Sequence, residues 1–252
     1  MDFAIHADMT ALDLLPRLLH RDGLMLIIDK PAGVAVHRGP KGAKGGPCLE
    51  DGFDPLRFGL PRLPALAHRL DRDTSGCLVL GRHRKALERL GKLFKSGRIS
   101  KTYWAVVEGQ PEADEGEIDL ALGRLDAARG WWMRPDPLGL PARTGWRRLG
   151  SSADGRLSFI EFTPHTGRTH QIRVHAQAMG WPLLGDPIYG HGKAEGAPPL
   201  HLHARAIVVP MQDSKPPVRA EAPVPAHMQA ALALCGHAPD LPKMDEGPTL
   251  TT

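Results

Sequence analysis

Short apolar runs separated by turn-forming residues constrain the fold of this 252-residue chain more than any other feature. The runs at residues 24–28, 77–80 and 206–209 are each four or five residues long. None approaches the roughly 20 apolar residues that a membrane-spanning helix requires. Strand patterns dominate, and helical patterns are interspersed without the regular alternation of a βαβ fold. The sequence therefore predicts an α+β fold with a large mixed, mostly antiparallel sheet and flanking helices.

A short helical element is predicted over residues 10–20, and two further helices are predicted among the strands. Apolar residues recur at helical spacing over residues 84–96, and Gly97 follows them as a C-cap. A second helix is predicted over residues 170–179, with Thr169 as a candidate N-cap and Gly180 at its end.

The domain organisation is predicted to be simple. One domain is expected over residues 21–235, preceded by an N-terminal extension over residues 1–20 and followed by a mobile tail over residues 236–252, which has little apolar surface to bury. Residues 39–47 are rich in glycine and lysine, which is typical of a flexible basic loop.

The three cysteines indicate the cellular compartment. They are odd in number and form no Cys-x-x-Cys pair, which favours a reducing cytoplasm. The first residues lack a basic segment followed by an apolar core, so no secretory signal is expected.

Positive charge is concentrated in one segment. The net charge of +4 and the pI of about 9.1 are by themselves weak indications of a nucleic-acid partner. Between Arg82 and Lys101, however, eight lysines and arginines accompany a single acid, Glu88. This concentration predicts contact with a phosphate backbone, and a solvated helix face is the alternative interpretation.

A dense run of charges occupies residues 68–76, His-Arg-Leu-Asp-Arg-Asp-Thr-Ser-Gly, directly before the apolar run at residues 77–80. The run is too polar for a core strand. Asp71 would be an ionised carboxylate in basic surroundings, which makes it a candidate anionic nucleophile. A lone aspartate more often caps a turn or pairs with a neighbour such as Arg69 or Arg72, and only the complete run favours a site.

Three further segments contain candidate site residues. Tyr103, one of two tyrosines, could stack on a base and handle a proton, although a strand tyrosine is also a common core residue. Arg168 precedes a predicted helix N-terminus, where backbone N–H groups can receive a phosphate. Arg173 could enter the interior and pair with a carboxylate. Leu202, in a predicted strand, could form the wall of a base pocket.

Metal chemistry is not expected. His165, His170 and His175 recur every five residues, a poor spacing for one helix face, and no carboxylate or thiolate joins them.

Two other functions were considered. A serine hydrolase would require Ser75 with His68 and Asp71, but the chain lacks the Gly-x-Ser-x-Gly elbow. A non-catalytic RNA-binding protein is the stronger rival, because it would use the same basic helix and aromatics. Such a protein would have no need of Asp71, whose charge would repel RNA.

Several motifs, taken in chain order, resemble those of the RluA-type pseudouridine synthases. The resemblance covers about residues 20–210. The matching segments are residues 29–33, 68–76, 101–105, 167–175, 185–190 and 202–204.

The resemblance implies a single catalytic α+β domain with a central RNA-binding cleft. It also implies a reaction in which a uridine in RNA is detached from its ribose at N1, turned and rejoined through C5, without cofactor or metal. Structured RNA, tRNA or large-subunit rRNA, is then the expected partner of a monomer that needs no other protein.

The resemblance also assigns residues. Asp71 corresponds to the nucleophile, Tyr103 to the pocket tyrosine that stacks on the base and is a candidate acceptor of the C5 proton, and Arg173 to the buried partner of Asp71. Arg69 corresponds to the arginine that fills the space left by the flipped base. The substrate-binding set is His68, Arg69, Thr74, Arg168, His170, Gln171 and Leu202.

The chain departs from many relatives at its N-terminus. Only about 20 residues precede the first core strand, which is too short for the S4-type RNA-binding domain and matches the short form of the family. Target choice would then rest on residues 39–47 and on the basic segment. The sequence leaves the target uridine open, and also whether Asp71 attacks C1′, attacks C6 or promotes a glycal route.

Overall fold

The computed structural model describes residues 12–38, 48–126 and 131–238, so the predicted loop at 39–47 and most of the predicted tail lie outside the described residues. Within them the chain forms a ten-stranded sheet, a two-stranded sheet and three α-helices, which confirms the predicted α+β fold. The elements are β1 Leu18–Arg21, β2 Met25–Lys30, β3 Ala65–Leu66, β4 Ser75–Gly81, α1 Arg84–Lys95, β5 Ser100–Glu108, β6 Glu115–Asp119, β7 Leu122–Arg124, β8 Met133–Pro135, β9 Arg143–Ser151, β10 Leu157–Pro164, α2 Gln171–Ala178, β11 Leu202–Val209, β12 Val218–Glu221 and α3 Ala226–Leu234.

The large sheet follows the order β1-β2-β4-β11-β5-β10-β9-β6, with β3 beside β4 and β12 beside β11. Among the described strands, β4 and β11 form the one parallel pair. This agrees with the mixed, mostly antiparallel sheet that the sequence predicts. The smaller sheet pairs β7 with β8. None of the described helices combines the length and the apolar character that a membrane span requires.

The central strands are buried on both faces of the sheet. In β2, Met25 and Ile27 pack into a core that includes α1, whereas Leu26 and Ile28 pack into a second core on the opposite face. Successive side chains of a strand point to opposite faces, so a strand covered on both sides must be apolar throughout. This requirement explains why the runs at β2 and β4 are continuous.

The parallel junction of β4 and β11 depends on a glycine. Gly76 adopts a φ of +105°, and a Cβ at this position would lie 2.3 Å from the backbone oxygen of Ala204. Beside it, the Ser75 hydroxyl and the His203 Nδ1 atom are 2.8 Å apart, and both side chains are buried. The close approach of the two strands thus fixes the end of the charged run at residues 68–76 against β11.

Two predicted details of the helices have different outcomes. Gly97 has the left-handed φ of +69° and follows α1, as predicted. Thr169 is not the N-cap of α2, because that position is occupied by His170, whose φ is +53° and whose side chain makes no capping hydrogen bond.

The predicted domain boundary at residue 20 falls inside the sheet. Leu14 is fully buried, and β1 pairs with β2 from Leu18 onwards. The helical element predicted at residues 10–20 is therefore wrong for its last residues, because a single 3-10 turn at Leu15–Arg17 leads directly into the strand. Part of the predicted extension therefore belongs to the folded core.

Replacing Gly76 by alanine tests the β4–β11 junction. We expect the Gly76→Ala variant to lose about 2–6 kcal/mol of unfolding free energy, from backbone strain at positive φ and from overpacking against Ala204. The measurement is a urea denaturation curve.

Gly91→Ala in α1 is the matched control. A Cβ there meets nothing within 4 Å, so this variant should gain about 0.5–1 kcal/mol. Equal stability of the two alanine variants would contradict the role assigned to Gly76.

Candidate active site

A cleft of about 490 Å³ lies where the charged run, the start of β5 and the turn before α2 meet. All ten site residues predicted from the sequence line it, including Leu202 at the start of β11. The volume is within the range of about 300–1,000 Å³ that is common for small-molecule pockets. The fold thus brings together residues that are more than a hundred positions apart in the chain.

The cleft is strongly cationic. Among the described residues, Asp71 is the one carboxylate in its lining. Such a balance attracts a polyanion. The cations in the lining are Arg69, Lys95, Lys101, Arg168 and Arg173.

The Asp71 carboxylate lies beside Arg173 and His170 but forms no short hydrogen bond with either side chain. Its side chain is 17% exposed, with Oδ2 lying 3.4 Å from Nη1 of Arg173 and 3.7 Å from Nε2 of His170. Both distances exceed the 2.7–3.2 Å of an ordinary N–H···O hydrogen bond, and the carboxylate makes no shorter side-chain contact within the described residues. The carboxylate is therefore free to meet a substrate.

The loop that carries Asp71 is fastened by Lys30 at the end of β2. The Lys30 side chain is fully buried, and Nζ donates hydrogen bonds to the carbonyl oxygens of Pro31, Arg72 and Thr74 at 2.7, 2.8 and 2.9 Å. Burial lowers the pKa of Lys30 to about 8, although nearby carboxylates oppose the shift. In the sequence, Lys30 is part of the segment at residues 29–33 that resembles a family motif, but no role was predicted for it.

Thr74 offers an unused hydroxyl. The residue is 2% exposed and lines the cleft, but its Oγ1 has no hydrogen-bond partner among the described residues. A buried polar group without a partner costs free energy. A ligand in the cleft could provide the missing hydrogen bond.

Arg173 bridges two carboxylates, of which the sequence predicted one. Its Nε and Nη2 atoms donate to the two oxygens of Asp186, each at 2.8 Å, and Nη1 faces Asp71. Asp186 also accepts from the backbone N–H groups of Ile188 and Tyr189 at 2.8 and 3.0 Å. Arg173 thus pairs with Asp71, as expected, and its shorter contacts are with Asp186, a second partner that the sequence did not predict. Asp186 is part of the resembling segment at residues 185–190, but nothing in the sequence connected that segment with Arg173.

The pKa of Asp186 reflects this pairing. Burial disfavours its charge and raises the pKa, but the hydrogen bonds and charge of Arg173 outweigh burial and hold the pKa below its ordinary value. The fully buried carboxylate is therefore ionised at neutral pH.

His170 is held by Tyr189. The Tyr189 hydroxyl oxygen accepts from the backbone N–H of Met133 at 2.9 Å and lies 2.7 Å from Nδ1 of His170. If the hydroxyl donates to Nδ1, the imidazole proton is on Nε2, the atom that faces Asp71. Burial lowers the pKa of His170, which favours this neutral form, although the charge of Asp71 opposes the shift.

Tyr103 and Leu202 provide the less polar side of the cleft. Both line it, and Leu202 is 4% exposed. Burial raises the pKa of the Tyr103 phenol, and the charge of Asp71 adds to the rise. The hydroxyl is therefore protonated at neutral pH.

His68 and Gln171 line the cleft, but their side chains already form hydrogen bonds within the protein. The backbone N–H of Val79 donates to Nε2 of His68 at 3.0 Å, and burial lowers the pKa of His68 to about 3. The side-chain amide of Gln171 makes four hydrogen bonds of 2.7–3.0 Å. These contacts saturate its donors and acceptors. Both residues are better placed to hold the cleft in shape than to bind substrate directly, which differs from the expectation.

Arg69 and Arg168, both predicted site residues that line the cleft, differ in whether the side chain is already hydrogen-bonded. Arg69 is exposed and its side chain has no hydrogen bond or ion pair among the described residues. Arg168 is partly buried, and its Nε donates to the carbonyl oxygen of Pro141 at 3.0 Å.

The basic segment around α1 is partly neutralised. Arg84 pairs with Glu88, whereas Arg89 and Arg98 both pair with Asp213 on a distant loop. Within the described part of the chain, Lys85, Lys92 and Lys95 remain exposed without an ion pair, and Lys95 is the one of these three that lines the cleft.

The histidines considered for metal binding have separate partners. His165 lies 3.5 Å from Glu117, whereas His175 contacts Thr144 at 2.9 Å. No group of three or more potential metal ligands occurs in residues 12–38, 48–126 and 131–238. The arrangement that a serine hydrolase would require is not formed, because the buried Ser75 hydroxyl is hydrogen-bonded to His203 and not to His68.

Comparison with known proteins gives consistent matches. Residues 24–178 match the family described as RNA pseudouridylate synthase. An uncharacterised RNA pseudouridine synthase of Zymomonas mobilis is 44% identical over 211 residues, which cover 83% of this chain and 94% of that protein. Ribosomal large subunit pseudouridine synthase C of Vibrio cholerae is 35% identical over 224 residues, 85% of this chain and 68% of that protein. The solved structure of Human RNA Pseudouridylate Synthase Domain Containing 4 matches with a TM-score of 0.73 at 26% identity, covering 90% of this chain and 96% of that one.

Replacing Asp186 by asparagine tests the buried pair. We expect Asp186→Asn to lose about 3–5 kcal/mol of unfolding free energy at pH 7, because the charge of Arg173 loses its main partner. The pKa of Asp186 is lower in the folded than in the unfolded chain, so its contribution is present above the ordinary carboxyl pKa of about 3.9 and is lost as the pH falls through the folded-state value.

Unfolding free energies of both proteins between pH 7 and pH 3 measure this effect. The difference between wild type and Asp186→Asn should stay constant down to about pH 5 and shrink below about pH 4. A difference that grows on acidification would contradict the assignment.

Proposed function

Because this chain belongs to the RluA-type RNA pseudouridine synthases, isomerases that convert uridine in RNA to pseudouridine, we propose that Asp71 is the nucleophile of that reaction. The observation that carries the proposal is that one carboxylate and five cations line the cleft among the described residues. For RNA binding alone, an acid at this point would be unfavourable. Its presence is accounted for by chemistry on the bound nucleotide.

The reaction balances without an external reagent. The N1–C1′ bond breaks, a C5–C1′ bond forms, a proton leaves C5 and N1 gains a proton. No electrons are gained or lost overall, so the chain needs to provide only a nucleophile, proton handling and a closed pocket. Attack of Asp71 on C1′, attack on C6 and promotion of a glycal route remain alternatives.

The base pocket is proposed to lie between Tyr103 and Leu202. The ring of Tyr103 can stack on uracil, and the hydroxyl of Thr74 is available for a hydrogen bond. Since the phenol is protonated at neutral pH, we propose that it accepts the C5 proton only while its own proton passes to Asp71. The two transfers together leave Tyr103 neutral, and the proton on Asp71 then passes to N1, which restores the carboxylate.

Access to the base requires that the nucleotide leave its helix, at a cost of a few kcal/mol. The exposed guanidinium of Arg69 is planar and can stack in the vacated space. Lys95 and Arg168 are placed to meet the flanking phosphates. We propose structured tRNA or large-subunit rRNA as the substrate, the latter supported by the name of the Vibrio cholerae relative. We further propose action as a monomer, since all ten site residues come from one chain.

Replacing Asp71 by asparagine tests the proposal. We expect Asp71→Asn to slow pseudouridine formation at least about a thousandfold while RNA affinity is retained, because the substitution removes the nucleophile and also relieves charge repulsion. The measurement is pseudouridine mapping on tRNA and rRNA transcripts after incubation with the purified protein.

Asp73→Asn is the control. This acid is in the same loop but is 41% exposed, at 4.0 Å from Arg72, so the variant should retain activity within a few-fold. Product formation by Asp71→Asn at the wild-type rate would refute the assignment of the nucleophile.

A further inference from the structure

Trp131 is a large aromatic residue that contacts His170, a residue of the cleft lining, and the proposed reaction gives Trp131 no role. It is 57% exposed. The rings of Trp131 and His170 are nearly perpendicular, with centroids 5.3 Å apart and an interplanar angle of 87°. The rings of Trp131 and Trp132 are also steeply inclined, at 6.0 Å and 72°. Neither contact is a parallel stack, and more than half of the Trp131 surface stays open to solvent.

The contact with His170 connects Trp131 with the surroundings of the proposed nucleophile. His170 Nε2 is 3.7 Å from Oδ2 of Asp71. Trp131 also lies two residues before Met133, the first residue of β8, whose backbone N–H donates to the Tyr189 hydroxyl. The same hydroxyl lies 2.7 Å from Nδ1 of His170, so the backbone near Trp131 and the ring of His170 share one anchor.

The surroundings of Trp131 favour a nucleic acid. Lys193 lies over the ring of Trp132, with Nζ 5.3 Å from the centroid. Arg124 and Arg134, on adjacent strands of the small sheet, are both exposed. An open aromatic face flanked by cations matches the binding of single-stranded nucleotides, in which bases stack on rings and phosphates meet positive charge. A purely apolar partner would gain nothing from these cations.

We propose that Trp131 is a stacking platform for a nucleotide that neighbours the flipped uridine. The proposal rests on the proposed function and adds a specificity contact to it. When a base leaves the stack, its neighbours lose a stacking partner. Arg69 lines the cleft and Trp131 contacts His170 of its lining, and the two come from different segments, one before β4 and the other before β8, so each can cover a different exposed base.

Binding measurements test this stacking. The probes are a 12-nucleotide oligouridylate and an oligomer of equal length with abasic riboses, at one fixed salt concentration. Wild type should prefer the oligouridylate. Trp131→Ala should weaken oligouridylate binding about tenfold and leave abasic binding unchanged. Trp131→Phe, which keeps an aromatic face, should stay within about threefold of wild type.

Leu138→Ala is the matched control, since Leu138 follows β8 and is 96% exposed. Its affinity for both probes should equal that of wild type. Trp131→Ala would overturn the proposal if it bound both probes like wild type, or if it lost equal affinity for both, which would indicate a backbone or folding effect. Pseudouridine mapping with the wild-type protein is carried out in parallel. Absence of product would count against the proposed function, whereas the binding comparison tests the stacking alone, because it requires no turnover.

Discussion

The guanidinium of Arg173 is the interaction on which the site depends. Two of its nitrogens are held by Asp186, and the third faces Asp71. Burying a charge is costly unless it is paired with good geometry. The bidentate contact provides that geometry, and the backbone N–H groups that hold Asp186 make it rigid. Asp71 therefore meets a fixed positive charge without being saturated by it.

The remaining structure brings this charge together with Asp71, the proposed nucleophile. Asp71 is on the loop before β4, whereas Arg173 is on α2, more than a hundred residues later. Lys30 holds the loop by hydrogen bonds to its backbone carbonyl oxygens. Gly76 allows β4 to approach β11 closely. The large sheet thus acts as a frame on which distant segments converge, and the cleft opens at their meeting point.

The sequence predicted the fold class and the residues that line the cleft, because strand periodicity is local and the motifs are distinctive. Apart from the pairing of Arg173 with Asp71, which the resemblance implied, it did not predict contacts that depend on distant pairing. Asp186 is linked to Arg173 only by the folded chain, and the role of Lys30 depends on backbone carbonyls, which no side-chain pattern reveals. Gln171 looked available for substrate, yet nearby backbone and hydroxyl groups use its amide. Thr169 matched a capping preference, but the left-handed backbone of His170 occupies the N-cap.

The most direct test of this account is the single-turnover rate of pseudouridine formation by Arg173→Lys. Lysine keeps the charge but has one nitrogen, so it cannot hold Asp186 bidentately and face Asp71 at the same time. A thermal melt establishes that the variant is folded at the assay temperature. The account predicts a rate at least about a hundredfold lower with RNA affinity nearly unchanged. A folded Arg173→Lys protein that forms pseudouridine at the wild-type rate would contradict it.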